Sequence, residues 1–154
     1  MMAAPSIQTC LWYADQAEQA ATLYCSLFPD AAITHVFRQQ GSPDTKAFMV
    51  EFTLMGQSYA AMNGGPHYKL TPAASIVANV DGQAEVDRLW EALLAGGGVE
   101  SRCGWLTDRY GLSWQIIPRE LLRLMKSDQA GRVVQALGGM VKIDVAALEA
   151  AAKG

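Results

Sequence analysis

Gly56-Gln57-Ser58-Tyr59 returns 55 positions later as Gly111-Leu112-Ser113-Trp114, and Gln16-Ala17-Glu18 returns 67 positions later as Gln83-Ala84-Glu85. Both pairs stand at equivalent points of one repeated element order, which points to a duplicated unit. In the first half, Gln8 to Tyr13 is a short aromatic-rich strand. Asp15 stands three residues before Glu18, the spacing of a capping arrangement at a helix start. Ala17, Ala20, Ala21, Tyr24, Leu27 and Phe28 then recur at helical spacing until Pro29-Asp30. Ala32 to Phe37 and Ala47 to Met55 are β-rich, with the turn Gly41-Ser42-Pro43-Asp44 between them. Gly56-Gln57 turns into a last strand, Ser58 to Asn63, with Met49 and Met55 reading as core. Gly64-Gly65-Pro66 through Pro72 forms a connector.

The same order follows the connector. Ala74 to Val80 reads as a strand, and Gln83 to Ala95 as a helix with Val86, Leu89, Trp90, Leu93 and Leu94 on one stripe. Gly96-Gly97-Gly98 closes that helix. Val99 to Leu106 and Leu112 to Ile117 supply strands around the turn Thr107-Asp108-Arg109-Tyr110-Gly111. Pro118 opens a helix continued by Arg119 to Lys126. Further helical pieces cover Gln129 to Leu137 and Val145 to Ala152, the last capped by Asp144. The expected fold is α+β within a single domain, residues 1–154. Module one covers about 6–64, module two about 74–118, and a helical tail 119–154. Each half has one sheet and one helix to cover it, so two halves are expected to pair around a cleft.

Composition narrows the function classes. The chain has 154 residues, 51% of them apolar and 18% charged, with net charge −3. A body of this size folds without disulfide or metal, and the acidic balance disfavours nucleic acid as a partner. No run is long and apolar enough for a membrane span, and Met1-Met2-Ala3-Ala4-Pro5 has no secretory character. Cys10, Cys25 and Cys103 form no C-x-x-C pair. Their odd number suits a reduced cytoplasm, and each reads first as a small buried hydrophobe.

Leu11-Trp12-Tyr13, Leu27-Phe28-Pro29, Asn63-Gly64-Gly65-Pro66-His67, the stretch Cys103 to Gln115, and the tail Gly139 to Asp144 running into Ala146 to Glu149 carry a resemblance over nearly the whole chain. It resembles the vicinal oxygen chelate superfamily, the glyoxalase and bleomycin-resistance fold of paired βαβββ modules. Within it, the chain looks like the PhnB-like branch, often labelled 3-demethylubiquinone 3-methyltransferase. The Cys103 to Gln115 stretch is the most specific part. Metal-using members place ligands on the first and last strand of each module. By register this implies Gln8 and Ala60 in module one, and Ser75 and Gln115 in module two, equivalent by the same two offsets. Two amides, a hydroxyl and a methyl are poor ligands for a divalent ion, which wants carboxylate, imidazole or thiolate. The expectation is no tightly bound metal and no cofactor.

Strand alternation puts Gln8, Cys10 and Trp12 on one face, Ser75, Val77 and Asn79 on another, and Ser113, Gln115 and Ile117 on a further row. The expected ligand-binding residues are Gln8, Cys10, Trp12, Ser75, Trp105 and Gln115, with His67 reaching in from the connector. Trp105 reads as a lid or a core plug, and His35 as structural. A mixed surface of this kind suits a small neutral or weakly polar ligand. The alternative is that these polar groups satisfy one another across a closed barrel. No Gly-rich turn follows the first strand, so S-adenosylmethionine chemistry is not expected. No Gly-x-Ser-x-Gly elbow marks a hydrolase. Two functions stay open: a metal-independent protein that sequesters or senses a small molecule, or a lyase, isomerase or dioxygenase-type enzyme with a recruited metal. The resemblance implies a homodimer.

Overall fold

Leu11 and Tyr13 are buried while Cys10 between Thr9 and Leu11 is exposed, and this two-residue alternation builds the first of two sheets. The computed structural model describes residues 2–39 and 45–154. The turn expected at Gly41-Ser42-Pro43-Asp44 lies outside them. The chain divides into two compact units, with the boundary between Leu70 and Thr71. Among the described residues no helix is long and apolar enough to cross a membrane.

The first unit runs β1 (Thr9–Tyr13), α1 (Ala17–Leu27), β2 (Ala31–Arg38), β3 (Ala47–Leu54) and β4 (Gln57–Asn63). Its sheet has the order β1-β4-β3-β2, with β1 parallel to β4 and the other neighbours antiparallel. α1 buries Ala17, Ala20, Ala21 and Tyr24, and Leu11, Tyr13, Val50, Phe52, Leu54 and Ala61 are buried on the strands. Three alanines on the buried stripe let the helix backbone lie close to the sheet. The Tyr13 and Tyr24 hydroxyls meet at 3.0 Å inside this layer. Each large side chain removed from water there contributes roughly 1.5–3 kcal/mol.

The start of α1 differs from the expected cap. Asp15 is drawn to Lys46 at 2.9 Å and Glu18 to Arg38 at 2.5 Å, so neither carboxylate closes the helix end. The Ala17 N–H instead donates to Asn63 Oδ1 at 2.8 Å, while Asn63 Nδ2 donates to the Ala47 carbonyl at 2.8 Å. An amide at the end of β4 thus satisfies a free helix donor that sequence spacing assigned to a local residue. Met55 is also not core. It is 56% exposed at φ +48° in the turn between β3 and β4, and Met49 is half-buried.

The second unit runs β5 (Ser75–Val80), α2 (Gly82–Leu94), β6 (Val99–Glu100), β7 (Trp105–Thr107) and β8 (Ser113–Pro118). Its sheet has the order β5-β8-β7-β6, with β5 parallel to β8. α2 buries Val86, Leu89, Trp90 and Leu93 over the β7–β8 side of the sheet, where Leu106, Trp114 and Ile116 are buried. The single strand expected over 99–106 is two strands. Cys103 and Gly104 sit at φ +57° and +87°, and their N–H groups go to the Met140 and Val141 carbonyls, each at 2.8 Å. A backbone committed to another segment cannot continue a ladder. With that break, both units have the order βαβββ.

The tail forms α3 (Arg119–Met125), α4 (Ala130–Leu137) and α5 (Val145–Lys153). Ile117, Leu121, Leu124, Val133, Ile143 and Leu148 make one buried cluster. Asp144 caps α5 as expected, accepting the Ala147 N–H at 3.0 Å. Gln83 at the start of α2 ties the tail down: its Nε2 donates to the Ile143 carbonyl at 2.9 Å and its Oε1 accepts the Val145 N–H at 2.8 Å. A Cβ at position 104 would meet Ile143 Cδ1 at 2.7 Å, so glycine is what lets the tail close on the sheet.

The register reproduces the duplication. β1 and β4 pair Cys10 with Ala60, and β5 and β8 pair Val77 with Gln115. These are the same pair moved by 67 and 55 positions, so the two sequence offsets describe one structural repeat.

Candidate functional site

In each unit, α1 or α2 covers one face of the sheet, and the expected ligand residues stand on the other. In the first unit that face carries Gln8, Cys10 and Trp12 from the β1 segment, with Ala60 beside Cys10 on β4. Glu51 on β3 lies directly across from Ala60, and His35 on β2 directly across from Glu51. Cross-strand partners share a face, so Cys10, Ala60, Glu51 and His35 form one row over all four strands.

Gln8 precedes β1 and donates from Nε2 to Glu51 Oε2 at 3.3 Å. β4 runs between these two residues, so the bond crosses it over the Ser58–Ala60 stretch. Ala60 in that stretch is 2% exposed. The seat that would hold a cation in module one is therefore spanned by an amide–carboxylate bond. Glu51 was not among the residues expected from sequence. A single charge within Ala47-Phe48-Met49-Val50-Glu51-Phe52-Thr53-Leu54 was the available signal.

Trp12 is held by the connector. Its Nε1 donates to the Gly65 carbonyl at 2.9 Å, and the Tyr68 ring meets it edge-on with centroids 4.9 Å apart. A Cβ on Gly64 would fall 2.2 Å from the indole, so the glycine exists to let the chain lie on the ring. His67 in the same connector is exposed and makes no hydrogen bond among the described residues. Cys10 is exposed, contrary to the buried role expected of each cysteine; all three are free. Although exposed overall, Cys10 loses enough solvent that desolvation pushes its thiol upward. A raised thiol pKa makes it a weaker nucleophile.

In the second unit Ser75, Trp105 and Gln115 share the face away from α2. Gln115 Nε2 donates to Ser75 Oγ at 2.9 Å, and half-buried Trp105 stands directly across from Gln115 on β7. Trp105 is thus a wall residue rather than a core plug. Ser113, two residues before Gln115, has a buried hydroxyl with no hydrogen-bond partner among the described residues. Ile117 of the same row belongs to the tail's core instead. Two of these polar groups find partners within their own sheet, Gln8 with Glu51 and Gln115 with Ser75.

The donor set fits a divalent ion poorly. Ala60 has no donor atom, and the Gln8 and Gln115 amides are engaged with Glu51 and Ser75. Among the described residues no group of three or more His, Cys, Asp or Glu is placed to hold a metal. A separate groove of about 620 Å³, wide open to solvent, lies along α2, lined by Asp87, Trp90, Glu91, Leu94, Ala95 and Lys142. None of the expected ligand residues borders it.

Comparison with known proteins follows the fold. The family model described as 3-demethylubiquinone-9 3-methyltransferase matches residues 5–117. A PhnB protein from Bacillus cereus, described with the same methyltransferase name, is 28% identical. That match covers 74% of this chain and 99% of that one, with a TM-score of 0.66. The fosfomycin resistance protein FosX of Listeria monocytogenes is 16% identical, covering 76% and 94% of the two chains with a TM-score of 0.51. A glyoxalase/bleomycin resistance protein from Albidiferax ferrireducens is 14% identical, covering 73% and 96% with a TM-score of 0.50. No curated protein matches the chain. With a family match over most of its length, the chain belongs to the 3-demethylubiquinone-9 3-methyltransferase family, and its two βαβββ units have the fold of a glyoxalase/bleomycin resistance protein.

Proposed function

We propose that the protein binds a small organic molecule without a metal, as a sequestering or sensing protein. The observation that carries this reading is the state of the four ligand-equivalent positions. Two are amides engaged in hydrogen bonds, one is a hydroxyl accepting such a bond, and Ala60 has no donor. Dehydrating a divalent ion needs charged or strongly basic ligands. The same faces carry Trp12, Trp105, Cys10 and Val77, which suit an apolar ligand body with a few oriented polar contacts. The ligand residues of this reading are Gln8, Cys10, Trp12, Ser75, Trp105 and Gln115, with His67 on the connector.

The methyl transfer in the family's description requires a methyl donor such as S-adenosylmethionine, and the chain's turns do not fit it. Ala14-Asp15-Gln16 after β1 contains no glycine. The Gly82 N–H at the start of α2 donates to Glu120 Oε2 at 3.3 Å, so a carboxylate of the chain itself already stands there. A second reading, a lyase, isomerase or dioxygenase-type enzyme with a recruited metal, is favoured by Glu51, whose carboxylate reaches the seat beside Ala60. Three free cysteines suit a reduced cytoplasm, and a homodimer belongs to the same reading.

A thermal-shift screen of small organic molecules, with and without a chelator, tests the proposal. Ligand shifts indifferent to chelator are expected; shifts that require a divalent ion would favour the enzyme reading. Gln115→Ala is expected to weaken a hit by about tenfold, the worth of one hydrogen bond, with an unchanged circular dichroism spectrum. An unfolded variant would assign Gln115 to the scaffold instead.

A further inference from the structure

We propose that Glu51 is a charge-recognition residue, and that the ligand's polar end is an organic cation, an amine or amidinium on an apolar body. The inference rests on the binding reading above and names its ligand class. It starts from how two other acids of the first unit are partnered. Asp15 pairs with Lys46 and Glu18 with Arg38. Glu51 is half-buried in the middle of the sheet, and its only hydrogen bond among the described residues comes from the neutral Gln8 amide at 3.3 Å. A carboxylate has about four acceptor sites, so one long amide bond leaves most of its capacity unused.

The surroundings set the class of partner. Strand alternation places Trp12, Met49, Met62 and Phe37 on Glu51's face, with the Cys10 thiol in its row. Arg38, which the register pairs with Ala47 at the end of this face, is committed to Glu18 and the Thr45 carbonyl. His35, across from Glu51, packs its ring against Phe37 with centroids 4.2 Å apart. One carboxylate among aromatic and thioether side chains attracts a cation with an apolar body, through a charge-assisted hydrogen bond and ring-face contact. An anion is repelled there. A metal ion finds one carboxylate and an amide already bonded to it.

Binding of benzylamine, benzyl alcohol and benzoate, measured by calorimetry in the presence of chelator, tests the assignment. Benzylamine is expected to bind about tenfold more tightly than the alcohol, and benzoate more weakly than either. Glu51→Gln keeps the length and the contact with Gln8, and is expected to erase the preference for the amine. Glu51→Asp and His35→Gln are expected to keep it, and melting temperatures report that each variant is folded. Equal binding of the three probes, or a preference that survives Glu51→Gln, would overturn the assignment and leave the binding reading standing. Failure of all three to bind without an added divalent ion would overturn both.

Discussion

Asp108 holds the turn between β7 and β8 from inside. It is 3% exposed, and its carboxylate accepts the Tyr110 N–H at 2.8 Å, the Leu112 N–H at 3.1 Å and the Trp114 indole N–H at 2.9 Å. Its own backbone closes the turn as well, with Asp108 N–H to Leu112 O at 2.9 Å and Gly111 N–H to Asp108 O at 3.0 Å. The most distinctive stretch of the sequence, Cys103 to Gln115, is therefore largely a folding device. It delivers Trp114 to the core and Gln115 to the opposite face. Removing the carboxylate leaves three donors without their acceptor, two of them buried and expensive to leave unmade. Asp108→Ala is expected to lower stability by about 3 kcal/mol, read from the urea midpoint. Asp108→Asn keeps one acceptor oxygen and is expected to cost less. The residue types and their order were legible beforehand; that one carboxylate gathers three donors was not, because two of them are backbone groups.

At the scale of elements, the tail is fastened to α2 by polar contacts at its edge. Lys142 in the segment before α5 pairs with Asp87 at 2.7 Å, and Gln83 also donates to Asp87 at 3.0 Å. The Lys142 hydrogen bond, helped by Gln83, holds the Asp87 carboxyl below its ordinary 3.8. A hydrogen bond from Arg88 likewise holds Glu85 below 4.5. A carboxylate whose folded pKa is lowered adds stability above its unfolded pKa, and loses it as pH falls through the folded value. The contribution is thus present at pH 7 and fades below those ordinary values. Both side chains of the Asp87–Lys142 pair are more than 40% exposed, so solvent screening keeps its worth below about 1 kcal/mol. Lys142→Met is expected to lower the urea midpoint slightly at pH 7, with the difference shrinking by pH 3. The helices themselves were readable from periodicity. Their fastening was not, since Gln83 and Lys142 lie far apart in the chain.

For the whole molecule, stability comes from apolar layers, one under each sheet and one in the tail. The three cysteines are free. Melting temperature is therefore expected to be the same after exhaustive dialysis against a chelator, and the same with or without a reducing agent. A fall of several degrees under either condition would identify a metal or a disulfide as part of the fold. The sequence by itself determined the duplication, the α+β class and the strand faces. These follow from local periodicity and from offsets that the β1–β4 and β5–β8 registers repeat. Tertiary structure decided what the seats contain, because hydrogen bonds choose partners by distance in space. Glu51 comes to Gln8 across 43 positions of chain, Asn63 to the start of α1 across 46, and Gln115 to Ser75 across 40. No spacing rule reaches that far: a side chain's partner on a neighbouring strand depends on register, and register is settled only when the sheet closes.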